Sequence, residues 1–269
     1  MTDQSDRDTW MMRAQQRPMA PVTPVTPEAL EELERAAAHV RGGGLLIVPT
    51  DTVYGIGALA SDPAAVARLL AAKGRGRQMP PPVLVAGPDQ LAGVVADIPS
   101  AARALIEAHW PGALTLVLTA APDLGWNLGE TGGTIAVRMP DHPLTLSLLR
   151  ATGPMAVTSA NRTGEPPATD AAAARAVFPS GAPLGGHDDD SGGVLVLDGG
   201  PTPGPVPSTI VSLAADRALA PVVLRDGVLA RAALAAAVDP VLRAAGAAPL
   251  ADATGRHDGQ HGEPREVGA

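Results

Sequence analysis

PTDTVYGIG, residues 49–57, follows the aliphatic run LLIV at 45–48 and leads toward a helical pattern at 61–73. The run reads as a short buried strand ended by proline. In the helical pattern Asp62 suits the N-cap, Pro63 the first turn and Gly74 the C-terminal stop, while Val66, Leu69 and Leu70 share one face. Lys73 falls seven residues after Val66, so it lies near that inward face. A strand, a polar loop and a helix in this order begin an α/β fold, with the loop and a lysine aimed at one region. Its threonine hydroxyls, aspartate and tyrosine, flanked by glycines, suit a ligand loop. They equally suit a polar strand-to-helix turn, and the pattern alone leaves both open.

The next stretch, KGRGR at 73–77, places three cations and two glycines in five residues. Such a segment can hold phosphates through charge and approaching backbone amides. It is also a common form of solvated loop, and no GxxxxGK[ST] spacing occurs in the chain.

Upstream, residues 27–41 read as a helix capped by Thr26, with Leu30, Leu33, Ala37 and Val40 as its buried stripe. Gly42, Gly43 and Gly44 end a helix and precede a strand, which is a C-terminal stop rather than a phosphate loop. Downstream the spacing predicts strands at 83–85, 113–119, 134–138, 154–158, 194–197, 209–213 and 222–224. Helices are predicted at 99–109, with Leu105 and Ile106 inward, then after a cap at Asp141 with Leu144 and Leu148 inward, at 171–177, and finally at 228–243. Strands alternate with helices less regularly in the second half, so the expected fold is α/β with a twisted mixed sheet and packed helices. His109 is a candidate base, but a helix-terminal histidine beside Trp110 reads as structural and stays outside the site. His187 with Asp188, Asp189 and Asp190 hints at metal binding, though the Gly-rich setting favours a solvated loop.

Residues 1–26 carry three prolines and no apolar periodicity, and read as a mobile arm. Residues 243–269 read as a low-complexity tail, leaving a single domain at 27–242. The hydrophobic fraction is 45%, with one Phe and one Tyr, so the core is aliphatic. Cysteine is absent, which excludes disulfides and thiolate metal sites. No apolar stretch is long enough to span a bilayer, and the expectation is a cytoplasmic protein without a membrane partner. The net charge of −8 argues against broad, charge-driven nucleic-acid binding. Arg75, Arg77, Arg138 and Arg225 each sit at a motif, and would form a local basic focus if they converge. Four unrelated surface arginines is the alternative.

Taken together, PTDTVYGIG, Lys73 with KGR, HWPGALTLVL (109–118), TIAVRMPDHP (134–143), TSAN (158–161), PSTIV (207–211) and VLRDG (223–227) resemble the YrdC family of threonylcarbamoyl-AMP synthases over residues 28–231. The resemblance implies a sheet with a concave basic cavity and a nucleotidyltransferase reaction. L-threonine, bicarbonate and ATP with Mg2+ would give threonylcarbamoyl-AMP and pyrophosphate. A partner transferase complex would then modify the adenosine beside the anticodon of certain tRNAs, with at most a weak tRNA contact by this chain. It implies that Lys73 and Arg75 serve the phosphate and carbonate end as catalytic residues. Thr52, Tyr54, Arg138 and Ser208 would serve threonine, with Arg138 on its carboxylate. Arg75, Thr134, Ser159, Asn161 and Arg225 would line the nucleotide, and no residue is assigned to a metal. The chain departs from the pattern at Leu84, where many relatives have histidine, and at Met79, Pro80 and Pro81 in place of an Asn-Pro-Leu segment. Carbamoyl-adenylate chemistry of the hydrogenase-maturation type is the enzymatic rival, but those proteins carry cysteine zinc modules. A non-catalytic RNA-binding module is the other, disfavoured by the acidic balance and scarcity of stacking aromatics.

Overall fold

Every side chain of Leu45–Val48 (β1) is buried, and successive ones point to opposite sides: Leu45 and Ile47 join one apolar cluster, Leu46 and Val48 another. Such a strand belongs inside a sheet covered on both faces. In the computed structural model, which describes residues 27–162, 164–178 and 193–250 together with Trp10, β1 lies in a nine-stranded mixed sheet. The other strands are β2 (Gly55–Leu59), β3 (Val83–Leu84), β4 (Leu114–Thr119), β5 (Thr134–Arg138), β6 (Met155–Ser159), β7 (Val194–Val196), β8 (Thr209–Ser212) and β9 (Val222–Arg225). Their spatial order is β7-β1-β2-β6-β3-β5-β4-β8-β9. The β1/β7, β3/β5 and β4/β8 pairs are parallel and the rest antiparallel.

Six helices complete the described fold: α1 (Pro27–Arg41), α2 (Pro63–Ala72), α3 (Ser100–His109), α4 (Pro143–Thr152), α5 (Ala171–Val177) and α6 (Arg231–Ala244). Apolar residues of α2, α3, α5 and α6, with Leu146 of α4, enter the first cluster, and those of α1 with Leu148 and Leu149 of α4 supply the second. Helices therefore cover one face broadly and the other only over part of its width. Asp62 caps α2 as its sequence suggests, its carboxylate accepting the N–H groups of Ala64 and Ala65.

Three local expectations change. PTDTVYGIG is not a strand-to-helix loop, because its last three residues open β2, whose Gly55 pairs with Val48. Glycines hide this strand from a propensity reading. Packing requires them: a Cβ on Gly57 would lie 2.6 Å from Val157 Cγ2 and 2.7 Å from the Ala156 carbonyl oxygen of β6. Next, Leu30 is 49% exposed, since burial in α1 is confined to its second half, at Ala36, Ala37 and Val40. The Thr26 cap lies outside the described residues. Lastly, Asp141 does not cap α4. Pro143 opens that helix, His142 takes the cap position without a side-chain bond, and the Asp141 N–H donates to Asp51.

At the chain ends, Trp10 is buried in the first cluster, its indole N–H donating to Glu107 at 2.5 Å and its ring 5.7 Å from the Arg103 guanidinium. Leu250 is buried as well, and its N–H donates to Asp239 of α6. The stretch holding His187 and the three aspartates lies outside the described residues.

Candidate active site

Where α1 and α4 do not cover the second face, the sheet carries a cavity of about 320 Å³. Its floor is one cross-strand row. Leu84 of β3 pairs with Arg138 of β5, and Leu116 pairs with Val137, so Thr115 of β4 lies beside Arg138. Thr115 pairs with Ile210 of β8, which pairs with Arg225 of β9. Paired residues point to the same face, so Leu84, Arg138, Thr115, Ile210 and Arg225 stand side by side, and all five line the cavity. A register shift between Ile210 and Val211 bends the ladder at this row, a common device for aiming a side chain beside a site. The walls come from Thr50 and Thr52 after β1, Arg75 after α2, Thr158 and Ser159 at the end of β6, and Ser208 before β8.

At one end, Thr50 organises the loop after β1. Its hydroxyl accepts the N–H groups of Thr52 and Val53 and donates to the Val53 carbonyl at 2.6 Å. This presents Asp51 and Thr52 to Arg138, whose Nη2 donates to Asp51 Oδ1 at 2.5 Å and Nη1 to Thr52 Oγ1 at 3.2 Å. Nε donates to the Gly112 carbonyl at 3.0 Å. Burial pulls the Arg138 guanidinium below its ordinary range, and the Asp51 charge counters that shift. Thr52 Oγ1 also lies 3.0 Å from Thr50 Oγ1, so a hydroxyl that accepts from Arg138 keeps its own proton for Thr50 or a ligand.

Further along the row from Arg138, Arg225 donates twice to the Ser208 carbonyl and once to its hydroxyl, which lies 2.9 Å from Thr115 Oγ1. Arg75 Nη1 donates to Thr158 Oγ1 at 2.9 Å, and its buried Nε has no partner among the described residues. Burial, then the charges of Arg138 and Arg75, pull Arg225 downward. Convergence of three cations is thus a physical fact of this cavity. Arg77 does not join them; it donates to Asn127 at 2.9 Å, away from the lining.

Lys73 reaches the inward side, as its spacing in α2 predicts, and is 3% exposed. Its ammonium donates to the Ser159 carbonyl at 2.7 Å, to Asn161 Oδ1 at 3.0 Å and to the Asn161 carbonyl, and stands 6.0 Å from the Phe178 ring. Ser159 in turn donates to Asn161 Oδ1 at 2.5 Å. Lys73 and Asn161 therefore lie behind the wall that Ser159 presents. Burial lowers the Lys73 ammonium to about 8, with Arg75 adding to the shift and Glu165 opposing it.

Of the remaining sequence candidates, Tyr54 is fully buried behind the cavity, donating from its hydroxyl to the Gly200 carbonyl at 2.7 Å. Thr134 is at the far end of β5 from Arg138, bonded to the Thr131 carbonyl, and does not line the cavity. His109 sits in α3, against the opposite face. Sequence reasoning gives no individual role to Thr50, Asp51, Thr115 or Thr158, although each lies in a motif it quotes. For Thr115 the only signal is a polar residue between Leu114 and Leu116, which also describes an ordinary half-exposed strand. Leu84 is an apolar floor residue, 4% exposed.

A family model covering Sua5, YciO and YrdC proteins, described as "Telomere recombination", matches residues 38–227. The chain belongs to the Sua5/YciO/YrdC family. Within this family it is 49% identical over 192 residues to a putative threonylcarbamoyl-AMP synthase of Mycobacterium tuberculosis, covering 71% of this chain and 82% of the relative. Among solved members it resembles Pyrococcus abyssi Sua5 in complex with L-threonine, with a TM-score of 0.67 and 34% identity over 77% of this chain and 57% of that one. Escherichia coli YciO shares the fold, with a TM-score of 0.64 at 24% identity, over 76% of this chain and 93% of that one.

Proposed function

We infer that this Sua5/YciO/YrdC member is a threonylcarbamoyl-AMP synthase, a nucleotidyltransferase converting L-threonine, bicarbonate and ATP to threonylcarbamoyl-AMP and pyrophosphate. The observation that carries this reading is a cavity lined by unlike arginines: Arg138, partnered by the Asp51 carboxylate, and Arg75 and Arg225, held only by hydroxyl and carbonyl groups. A planar guanidinium with N–H groups left over suits an amino-acid carboxylate, and unpaired guanidinium groups suit a triphosphate. The likeness to P. abyssi Sua5 with L-threonine and to named synthases supports the same assignment.

In this reading Arg138 holds the threonine carboxylate, with Thr52 beside it and Ser208 on the substrate side. The threonine nitrogen attacks the carbonate carbon and forms an N–C bond as water leaves. The resulting carbamate oxygen attacks the α-phosphorus, the α–β bridging bond breaks, and pyrophosphate departs with the negative charge. Arg75 and Arg225 stabilise that departing charge, and Ser159 lines the nucleotide side. Lys73 and Asn161 hold the turn that carries Ser159. Tyr54 and Thr134 are given supporting parts through the 198–200 and 131–134 turns. Holding the reactants together and offering fixed donors where charge develops accounts for the chemistry. The cavity lining contains no carboxylate, and Asp51 is engaged with Arg138, so the residues present do not form a magnesium cage. Magnesium would arrive on the triphosphate.

No helix among the described residues is long and apolar enough to cross a membrane. We place the reaction in the cytoplasm, as the first step of N6-threonylcarbamoyladenosine formation on tRNA, with a separate transferase complex taking the product. The catalytic unit is assigned to residues 27–242. The test is pyrophosphate release by the purified protein with ATP and magnesium, leaving out threonine or bicarbonate in turn. Release that requires both supports the reading, and release indifferent to threonine removes it.

A further inference from the structure

We propose that Asp51 is a positioning residue that fixes the plane of Arg138 and, through its charge, reserves that arginine for a monoanionic carboxylate rather than for phosphate. The proposal rests on the reading of Arg138 as the ligand of the amino-acid carboxylate. Arg138 has five N–H donors, and three go to three different partners: Gly112, Thr52 and Asp51. Bonds from both terminal nitrogens and Nε lock a planar group against rotation, and two N–H donors remain for a ligand. Asp51 is the charged member of this set, 15% exposed at its side chain and not part of the cavity lining. Its Oδ1 also accepts the Asp141 N–H at 3.0 Å, which ties the loop after β1 to the loop after β5.

Charge gives the second half of the argument. Arg75 and Arg225 have no carboxylate partner among the described residues, whereas Arg138 does. Asp51 sets a negative charge against Arg138 and none among the described residues stands against Arg75 or Arg225, so a polyanion gains less at Arg138 than at either. A polyanion is drawn to Arg75 and Arg225, and a carboxylate is left to compete for Arg138. Without Asp51 the three arginines would become alike in charge, and a polyphosphate would compete for Arg138 as well.

The experiment compares Asp51→Ala and Asp51→Asn with the unaltered full chain in steady-state turnover, using inorganic tripolyphosphate as a non-reacting probe. Asp51→Ala removes both the acceptor and the charge. It is expected to raise the KM for threonine about 30-fold and the KM for ATP less than about 3-fold. Asp51→Asn keeps an acceptor oxygen for Arg138 and Asp141. It is expected to hold the threonine KM within about 3-fold while making tripolyphosphate competitive against threonine as well as ATP. In the unaltered protein tripolyphosphate should compete with ATP alone. An unchanged threonine KM in Asp51→Ala, equal rises in both KM values, or an unaltered inhibition pattern in Asp51→Asn would overturn the proposal. If the unaltered protein turns over without needing threonine, the reading of Arg138 as the carboxylate ligand fails, and the proposal with it.

Discussion

The two faces of the sheet are built from the same strands yet follow different rules. On the first face Leu114, Leu116 and Leu118 of β4 are fully buried under a continuous apolar cluster. One residue along, Thr115 turns to the second face, where it stands between Arg138 and Ile210 on an open floor. The first face derives its energy from area removed from water and tolerates any well-packed apolar residue. The second holds three guanidinium groups whose desolvation is unfavourable unless each donor has a partner. The difference teaches that stability and chemistry have been assigned to opposite sides of one sheet, so substitutions on the two faces should separate cleanly.

The sharpest test of that separation pairs two substitutions. Arg138→Ala should lower turnover with threonine about 10³-fold, since it removes the carboxylate ligand and strands Asp51. Leu116→Ala on the other face should reduce stability by about 3 kcal/mol in a denaturant melt, with turnover per folded molecule unchanged. If Leu116→Ala instead reduces turnover as strongly as Arg138→Ala, the two faces are not separable. Gly57→Ala attacks the strand on which both faces depend. Its new methyl must displace Val157 or the β6 backbone, so a loss of about 2 kcal/mol is expected in the same melt.

A smaller effect comes from Lys73. Its ammonium loses its proton near pH 8 in the folded protein against an ordinary 10.5. Nucleotide binding, followed by fluorescence or calorimetry, should weaken about tenfold as pH rises through that value, because a positive charge and a donor to the 159–161 turn disappear. The sign for stability is opposite. The unfolded chain binds the proton up to about 10.5, so this group's contribution rises from about pH 8 to 10.5. Lys73→Met should abolish the alkaline limb of binding; a limb that persists would assign it elsewhere. Least of all, Tyr54→Phe should cost about 1 kcal/mol of stability, the hydroxyl bond to Gly200 being replaced by nothing, with little change in KM for either substrate.

Much of this molecule can be read from its sequence, for identifiable reasons. β1, α2 with its Asp62 cap, and β5 with Arg138 at its end carry strong local patterns, and the structure keeps their spacing. Lys73 points inward because seven residues are close to two helical turns. β2 was not legible because its glycines answer to Val157 and Ala156 some hundred residues later, a constraint with no local trace. The convergence of Arg75, Arg138 and Arg225 was a question the sequence posed; strand order answered it for Arg138 and Arg225 by bringing β5, β4, β8 and β9 into one row, and the end of β6 receives Arg75 at Thr158. Asp51 is marked in the sequence only as one polar group of its loop, without a partner, for the same reason. Its partners, Arg138 and Asp141, belong to a different hairpin, and a lone aspartate in a turn has an ordinary explanation.

The central claim is that this cavity joins threonine, bicarbonate and ATP, and mass spectrometry of the nucleotide formed with isotopically labelled bicarbonate tests it most directly. The account predicts an adenylate that contains both the threonine and the labelled carbon, formed with pyrophosphate and absent when Arg138 is replaced by alanine. An adenylate lacking the label, or one formed equally well by the Arg138→Ala protein, would contradict it.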